Sequence, residues 1–201
     1  MRAADAVGTA FSLALYWRMP SVMSNIIRPA VPADAASIAT VHIQSWRAAY
    51  RGQLPDRYLD ELDQELPRRT EFWYTHISTP PENVEIWVAG DPIVIVGFLA
   101  LGPARHMEAE MIGEIYAIYV DPQSWNQGAG RALFGHGEGR LRAMVYSQAI
   151  LWVLESNTRA RRFYEIAGWV IDGNSKTEIL TDGIELREVC YRKTFPGLKE
   201  E

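Results

Sequence analysis

One segment of the chain runs from a strand pattern through a glycine-bearing loop into a helix pattern. Residues Glu114–Val120 alternate between two faces, as a strand does, and residues 128–145 follow with helical spacing. Gly128 and Gly130 stand where this helix begins, and glycine lets the backbone approach a ligand closely. Because the first turn of a helix has unpaired N–H groups and a partial positive charge, the segment predicts an anion site suited to a pyrophosphate.

Two other ligand classes use a related loop, and the spacing disfavours both. A dinucleotide-binding loop needs Gly-x-Gly-x-x-Gly directly after the strand, whereas the third position here is Leu133 and residues 121–127 intervene. A Walker A loop ends in Gly-Lys-Ser/Thr, and that ending is absent. A nucleotide- or NAD-binding enzyme therefore stays as a minor alternative, beside a loop that binds nothing.

The periodicity of the whole chain predicts a mixed α/β domain built on one sheet. Strand and helix patterns follow in the order strand, helices, three strands, helix, strand, helix, two strands. The predicted strands are 25–28, 84–89, 93–101, 114–120, 150–154, 169–180 and 184–195, and the predicted helices are 35–50, 55–62, 65–77, 128–145 and 157–167. Thr181-Asp182-Gly183 is typical of a hairpin turn between the last two strands.

Length, charge and residue usage exclude several classes of protein. The 201 residues suggest one domain, and a net charge of −5 argues against broad nucleic-acid binding. The single cysteine, Cys190, excludes an internal disulfide and a cysteine-rich zinc site, and its strand pattern predicts a packed residue. His42, His76, His106 and His136 show no metal-ligand spacing, so we expect no metal.

The first 22 residues differ from the rest of the chain. Their apolar stretch, residues 10–17, is too short to span a bilayer and lacks the pattern of a signal peptide. Patterning typical of a folded domain begins directly after Met23. We expect residues 1–22 to be an extension, either a mis-called start or a disordered segment, with an accessory helix and a targeting segment as alternatives. We expect residues 23–201 to be a cytoplasmic domain with no membrane partner.

The glycine loop closely resembles motif A of the GNAT acetyltransferases, whose consensus is Gln/Arg-x-x-Gly-x-Gly/Ala. The preferred register is Trp125-Asn-Gln-Gly-Ala-Gly130, which keeps the family's distance from Val120-Asp-Pro122 and its Gly-Arg-Ala-Leu helix entry. A second register, beginning at Gln127, matches the consensus letters. Tryptophan in the first position resembles a known family variant.

The segment Leu151–Trp169 resembles motif B of the same family. It contains Asn157, a Phe-Tyr pair ending at Tyr164 and a closing Gly-Trp pair. The resemblance covers residues 24–195 and is strongest where the two motifs lie. It implies the GNAT fold, with one mixed central sheet of about six to seven strands flanked by about four helices, and strands splayed at the CoA site.

The resemblance also implies an activity and a set of contacts. The chain would be an N-acetyltransferase that moves the acetyl group of acetyl-CoA directly to an amine in a ternary complex, without a metal. A homodimer through the late strands is compatible with the family. The residues implied to bind the cofactor are Ile118, Tyr119, Val120, Asn126, Gln127, Gly128, Ala129, Gly130, Arg131 and Asn157.

Three side chains are candidates for proton transfer. Tyr164 corresponds to a family tyrosine beside the CoA sulfur, where a neutral phenol could protonate the departing thiolate. Glu114 is the first candidate base, directly or through a water, because strict alternation puts it on the face of Val120. A bulge in the strand would change that face. Glu155, at the end of the next strand, is the second candidate.

The acceptor site is the least specified part of the sequence. In the family the first helix and its loop wall this site, which assigns Trp46 and Tyr50 to it, together with Tyr116 on the central strand. The same aromatic residues could equally be core residues at helical spacing. Residues 45–52 resemble a segment of polyamine N-acetyltransferases over a short match only. A small amine, a protein amine and a catalytically inactive CoA-binding module therefore stay open.

Overall fold

A computed structural model describes residues 26–91, 93–105, 111–180 and 183–196. Within these residues seven strands form one sheet, and five α-helices pack beside it. The strands are β1 (Ile26–Pro29), β2 (Glu85–Gly90), β3 (Ile95–Pro103), β4 (Ile112–Val120), β5 (Gln148–Leu154), β6 (Val170–Ile179) and β7 (Glu185–Thr194), and the helices are α1 (Ala35–Tyr50), α2 (Asp56–Glu61), α3 (Leu66–Ser78), α4 (Ala129–Ala143) and α5 (Thr158–Ile166).

The sheet order is β1-β2-β3-β4-β5-β7-β6. Every neighbouring pair is antiparallel except β4 and β5, which run parallel. A parallel pair needs a long crossover, and α4 is that crossover. The first turn of α4 therefore follows directly from the carboxyl end of β4, in the middle of the sheet.

The predicted fold class and element order are confirmed, and element ends differ by one or two residues, as is usual for helix and strand boundaries. The helix predicted over 128–145 spans Ala129–Ala143, and the strand predicted over 150–154 begins at Gln148. The extension 1–22, residues 92 and 106–110, and two residues of the predicted turn at 181–183 lie outside the described residues. The domain division at residue 23 stays a prediction.

Apolar side chains pack on both faces of the sheet. On one face Leu133 and Phe134 of α4 pack with Leu99 of β3, and all three are almost fully buried. On the other face Ile38 of α1 packs with Phe98 of β3, and both are 0% exposed. Full burial of one such side chain stabilises the fold by about 1.5–3 kcal/mol. Both helical layers are therefore fixed against the central strands.

The central strands separate before they end. β4 pairs with β5 only over Ile112–Ile115. Beyond that point β4 stays with β3 as far as Val120, while β5 stays with β7 as far as Leu154. The sheet consequently divides into two halves, and a cleft opens between the unpaired edges of β4 and β5.

A bulge in β4 corrects one prediction. Leu101 of β3 faces Ile115 and Ala100 faces Ala117, so Tyr116 is an extra residue in β4. The extra residue shifts the alternation and puts Glu114 on the face opposite to Val120. The expectation that Glu114 and Val120 share a face is therefore wrong.

Candidate functional site

A cavity of about 1490 Å³ fills the cleft between the two halves of the sheet. Its walls include most residues that the sequence assigned to cofactor or acceptor. Those lining it are Trp46, Tyr50, Tyr116, Ile118, Tyr119, Val120, Asn126, Gly128, Gly130, Arg131, Asn157 and Tyr164. Of the assigned residues, Gln127, Ala129 and Glu114 are not in its wall.

The first turn of α4 presents unpaired amides to this cavity. Gly128 precedes the helix with φ 91° and no side-chain cap, a left-handed conformation that suits glycine. The Ala132 N–H donates to the Gly128 carbonyl oxygen at 3.0 Å, closing the first helical turn. By helix geometry the amides of Ala129, Gly130 and Arg131 have no intrahelical acceptor. They can donate to an anion placed at this helix end.

Arginines add positive charge around the same helix end. Arg131, Arg159 and Arg162 all line the cavity. The guanidinium carbon of Arg159 lies 3.5 Å from the ring centroid of Trp125, and burial lowers the pKa of this arginine. An arginine stacked on an indole keeps its charge at neutral pH and is held in a fixed place. This part of the cavity is therefore suited to phosphate groups.

The end of β4 is held open by side chains from outside the sheet. The carbonyl oxygen of Val120 accepts hydrogen bonds from Ser45 Oγ at 2.8 Å and from Trp125 Nε1 at 2.7 Å. The Asp121 amide donates to Val96 of β3 at 2.8 Å. Because amides alternate along a strand, those of Ile118 and Val120 point away from β3, into the cleft. They are free to bond an extended ligand.

Asn157 begins α5 at the other wall of the cleft. Its side-chain oxygen accepts from the Ala160 amide at 3.1 Å, so Asn157 caps the start of α5. The Tyr50 hydroxyl of α1 lies near the same side chain, and both residues line the cavity.

Three phenols approach one another where the strands separate. Tyr164 is 7% exposed, and burial together with Tyr119 raises its pKa, so it stays protonated at neutral pH. Burial and the neighbouring Tyr119 likewise raise the pKa of Tyr50. The hydroxyl of Tyr164 makes no hydrogen bond to any described residue and is not fully enclosed. It can donate its proton to a group in the cavity.

An aromatic cluster supports this arrangement from the α1 side. The Nε1 of Trp46 donates to the Tyr119 hydroxyl at 2.9 Å, and the His42 ring stacks on Tyr119 at 4.5 Å between centroids. Burial, and secondly the charge of Arg69, lower the pKa of His42 to about 3. An imidazole with so low a pKa is neutral and is a poor acceptor for the proton of an ammonium group.

Glu114 lies beneath the cavity wall, not in it. The residue is 1% exposed, and both carboxylate oxygens accept from Arg105. One oxygen accepts from the Arg105 backbone amide at 2.9 Å, and the other accepts from Nη2 at 2.5 Å and from Nε at 3.2 Å. Glu155 forms an ion pair with Arg187 at 3.2 Å and is also outside the wall. Neither carboxylate has an oxygen facing the cavity.

Among the wall residues that sequence reasoning did not single out, three charged ones bear on the acceptor. Arg105 and Glu188 face the acceptor half of the cavity, together with Lys176, which pairs with Glu188 at 3.2 Å and lies 4.5 Å from the Trp152 ring centroid. Glu188 stands opposite Leu154 in the β5–β7 register. No signal in the sequence marks Glu188, because β7 reads as an ordinary alternating strand.

Neither a metal-binding cluster nor a membrane-spanning helix is present within the described ranges. No cluster of three or more His, Cys, Asp or Glu side chains there is arranged to hold a metal ion. Among the helices of those same ranges, none has the length and apolarity needed to cross a membrane.

The chain matches the model of the acetyltransferase (GNAT) family over residues 43–169. It is 36% identical over 132 residues to the uncharacterized N-acetyltransferase YuaI of Bacillus subtilis, covering 65% of this chain and 72% of the relative. It is also 29% identical over 176 residues to the probable N-acetyltransferase Rv2775 of Mycobacterium tuberculosis, covering 84% and 94%.

Among solved structures, the fold is similar to that of the PaiA N-acetyltransferase of Thermoplasma acidophilum in complex with coenzyme A. The TM-score is 0.63 at 18% identity, over 86% of this chain and 100% of the other. At this identity the likeness concerns the fold.

Proposed function

The chain belongs to the acetyltransferase (GNAT) family, and from that premise we propose that it transfers the acetyl group of acetyl-CoA to an amine in a ternary complex. The pyrophosphate would lie at the start of α4, beside Arg131 and Arg159. The pantetheine arm would follow the open edge of β4. The amine would enter from the side of α1 and α3.

The observation that carries this proposal is the cleft itself. A helix start with free amides suits a pyrophosphate, and the cleft-facing amides of Ile118 and Val120 suit an extended amide-containing arm. The path between these two features ends beside Tyr164. Coenzyme A is an anion joined to such an arm, and the PaiA relative in fold holds coenzyme A.

The proposed reaction is a direct acyl transfer. The amine nitrogen attacks the thioester carbonyl carbon, the new N–C bond forms and the C–S bond breaks. The Val120 amide would stabilise the carbonyl oxygen as it gains negative charge. The leaving thiolate would take the Tyr164 proton, and the phenolate would regain a proton from water.

The amine must also lose a proton before it attacks. We propose that water in the open cleft accepts it, with Glu114 reached at most through such a water. Both carboxylate oxygens of Glu114 are already bonded to Arg105, and Glu155 is paired with Arg187. The sequence candidates for a direct base thus receive little support from their surroundings.

A covalent acyl-enzyme is not part of the proposal. Cys190 is the single cysteine of the chain, and it is 0% exposed in β7, as its strand pattern predicted. Burial raises the pKa of its thiol to about 12, so the thiolate is scarce at neutral pH. Transfer without a cysteine intermediate follows.

The test is thiol release by the full-length chain from acetyl-CoA in the presence of a panel of primary amines, with mass analysis of the acceptor. Release that depends on the amine, with an acetylated product, is expected. Tight binding of acetyl-CoA without acetylation of any amine would instead favour the inactive CoA-binding module.

A further inference from the structure

The acceptor half of the cavity contains two ion pairs on separate walls. Arg105 follows β3 and is held by Glu114 of β4, and Glu188 of β7 is paired with Lys176 of β6. Arg105, Lys176 and Glu188 line the cavity, whereas Glu114 is buried behind it. The halves of the sheet that separate at the cleft each contribute one pair.

The geometry of the first pair leaves one nitrogen of Arg105 free. Its backbone amide, Nε and Nη2 all donate to Glu114. Its Nη1 makes no hydrogen bond to a described residue and is not enclosed, and the side chain is 50% exposed. The guanidinium also lies 4.5 Å from the Tyr116 ring centroid, which fixes its plane. A guanidinium that is held in place, lines a cavity and has an unbonded N–H is suited to a carboxylate.

The second pair can release its carboxylate to a ligand. Glu188 has a side chain only 20% exposed and a single contact with Lys176, at 3.2 Å. Lys176 lies 4.5 Å from the ring centroid of Trp152, so it keeps a favourable cation–π contact when Glu188 turns to another cation. The Glu188 carboxylate is therefore available to an ammonium group.

The sum of charges argues against a polycation as acceptor. The two pairs are together neutral, and behind His42 lies Arg69, which contacts His42 and Trp46 and has no carboxylate within ion-pair distance among the described residues. Arg69 is not in the cavity wall, and Glu65 interacts with it from beyond ion-pair distance, but its charge disfavours a second positive charge on the acceptor. Glu82 and Glu178 also line the cavity but are exposed, where water screens their charge.

We propose that the acceptor is a small zwitterionic amine, with its carboxylate bound by Nη1 of Arg105 and its ammonium bound by Glu188 across the same cavity. Burial lowers the pKa of Arg105, the bonds to Glu114 raise it to above its usual value, and the charge of Glu188 adds a smaller increase, which is consistent with the two groups facing a common space. Glu114 then acts as a positioning residue for Arg105. This inference rests on the proposed acetyl transfer and specifies its substrate class.

The experiment compares matched acceptors with the full-length chain and saturating acetyl-CoA. Leucine, leucinamide and 3-methylbutylamine form one set, 6-aminohexanoate and hexylamine form a second, and spermidine is the polycation. We expect kcat/KM to be at least about tenfold higher for the carboxylate-bearing member of the preferred set, since charge-assisted bonds of this kind contribute roughly that factor or more. Equal or better use of the amide, the plain amine or spermidine would overturn the inference.

Variants assign the preference to residues. Arg105→Met should remove the advantage of the acid over the amide, and Arg105→Lys should reduce it while still neutralising the buried Glu114. Glu114→Gln should raise KM for the acid more than it lowers kcat, as expected of a positioning residue. Arg68→Met, a change at an exposed arginine, is the control. An unchanged ratio in both Arg105 variants would contradict the assignment.

Glu188 has its own pair of variants. Glu188→Gln should raise KM about tenfold for acid and amide alike, because both have the ammonium group, and should leave acetyl-CoA affinity unchanged. Glu185→Gln, at an exposed position on the same strand, should change neither the KM for the acceptors nor the affinity for acetyl-CoA. If acetyl-CoA binds but no carboxylate-bearing amine is acetylated, this inference fails alone. If acetyl-CoA does not bind, the proposed function fails with it.

Discussion

The Tyr164 side chain has an apolar ring contact on one side and a free hydroxyl on the other. Its ring lies 5.4 Å from that of Phe134, between centroids, and its hydroxyl has no partner among the described residues. Because burial and Tyr119 raise its pKa, the proton is present at neutral pH. An unbonded hydroxyl that keeps its proton is suited to donate that proton to a leaving thiolate.

Tyr164→Phe removes the hydroxyl and keeps the ring. We expect kcat to fall about 10²-fold, the usual size of a lost general acid, with less than a twofold change in acetyl-CoA affinity. Steady-state kinetics and calorimetry measure the two effects. Tyr146→Phe, at a tyrosine outside the cavity wall, is the matched control. Equal turnover in Tyr164→Phe and the unaltered protein would remove Tyr164 as the acid.

His42 should make the stability of the protein sensitive to acid. Its pKa is about 3 in the folded chain and near 6.5 in an unfolded one, so only the unfolded state takes up this proton as the pH falls below about 6.5. The contribution to stability is therefore complete above about pH 6.5 and is lost as the pH falls towards 3.

The test replaces His42 by phenylalanine. Between pH 6.5 and about 4.5, the free energy of unfolding of the unaltered protein should fall more steeply than that of His42→Phe, by up to about 1.4 kcal/mol per pH unit. Urea unfolding at several pH values measures the free energy of unfolding of both proteins. The difference between the two proteins near pH 7.5 is the reference. Parallel pH profiles for the two proteins would mean that His42 is not buried as a neutral ring.

The side-chain contacts that the sequence did not reveal join residues that are far apart in the chain. Tyr164 and Asn157 were found because each lies within a short local motif. The partnership of Glu114 with Arg105 depends on a loop returning beside the strand, and Glu188 reaches the cavity only because β7 pairs with β5. Neither contact leaves a local periodic signal.

At the scale of single elements, α4 and β4 together form the half of the cleft proposed to bind the cofactor. The periodic pattern predicted both, because each is long and has one clearly apolar face. Periodicity could not locate the bulge at Tyr116. The residues before the bulge alternate, and so do the residues after it, so one extra residue leaves no break in the apolar pattern. The face of Glu114 was mispredicted for this reason.

Gly128→Glu tests the start of α4. A Cβ added at Gly128 meets no protein atom within 4 Å, so the substitution directs bulk and a like charge into the space proposed for the pyrophosphate. We expect acetyl-CoA affinity to fall at least about 100-fold, with a cost to folding of about 1–3 kcal/mol for a non-glycine residue at φ 91°.

The control for that variant lies on the same helix. Gly135 is exposed, and a side chain there also meets nothing within 4 Å, so Gly135→Glu adds the same charge away from the cavity. It should bind acetyl-CoA as the unaltered protein does. Retained binding in Gly128→Glu, with both proteins folded by circular dichroism, would contradict the placement of the pyrophosphate.

At the scale of the whole molecule, the division of the sheet determines what the protein can do. One half, β1 to β4, contributes the open strand edge and the start of α4, and the other, β5 to β7, contributes the start of α5 and Glu188. Two ligands can meet where these halves separate, beside Tyr164. The fold class and element order were predictable from periodicity, whereas the splaying of the strands at the cleft was implied only by the family resemblance.

The most direct test of the central claim is calorimetric titration of the full-length chain with acetyl-CoA, with CoA and NAD as comparators. The structure predicts one site per chain with micromolar affinity for acetyl-CoA, similar binding of CoA and no measurable binding of NAD. A folded protein that binds neither acetyl-CoA nor CoA would contradict the account and leave the first turn of α4 without an assigned ligand.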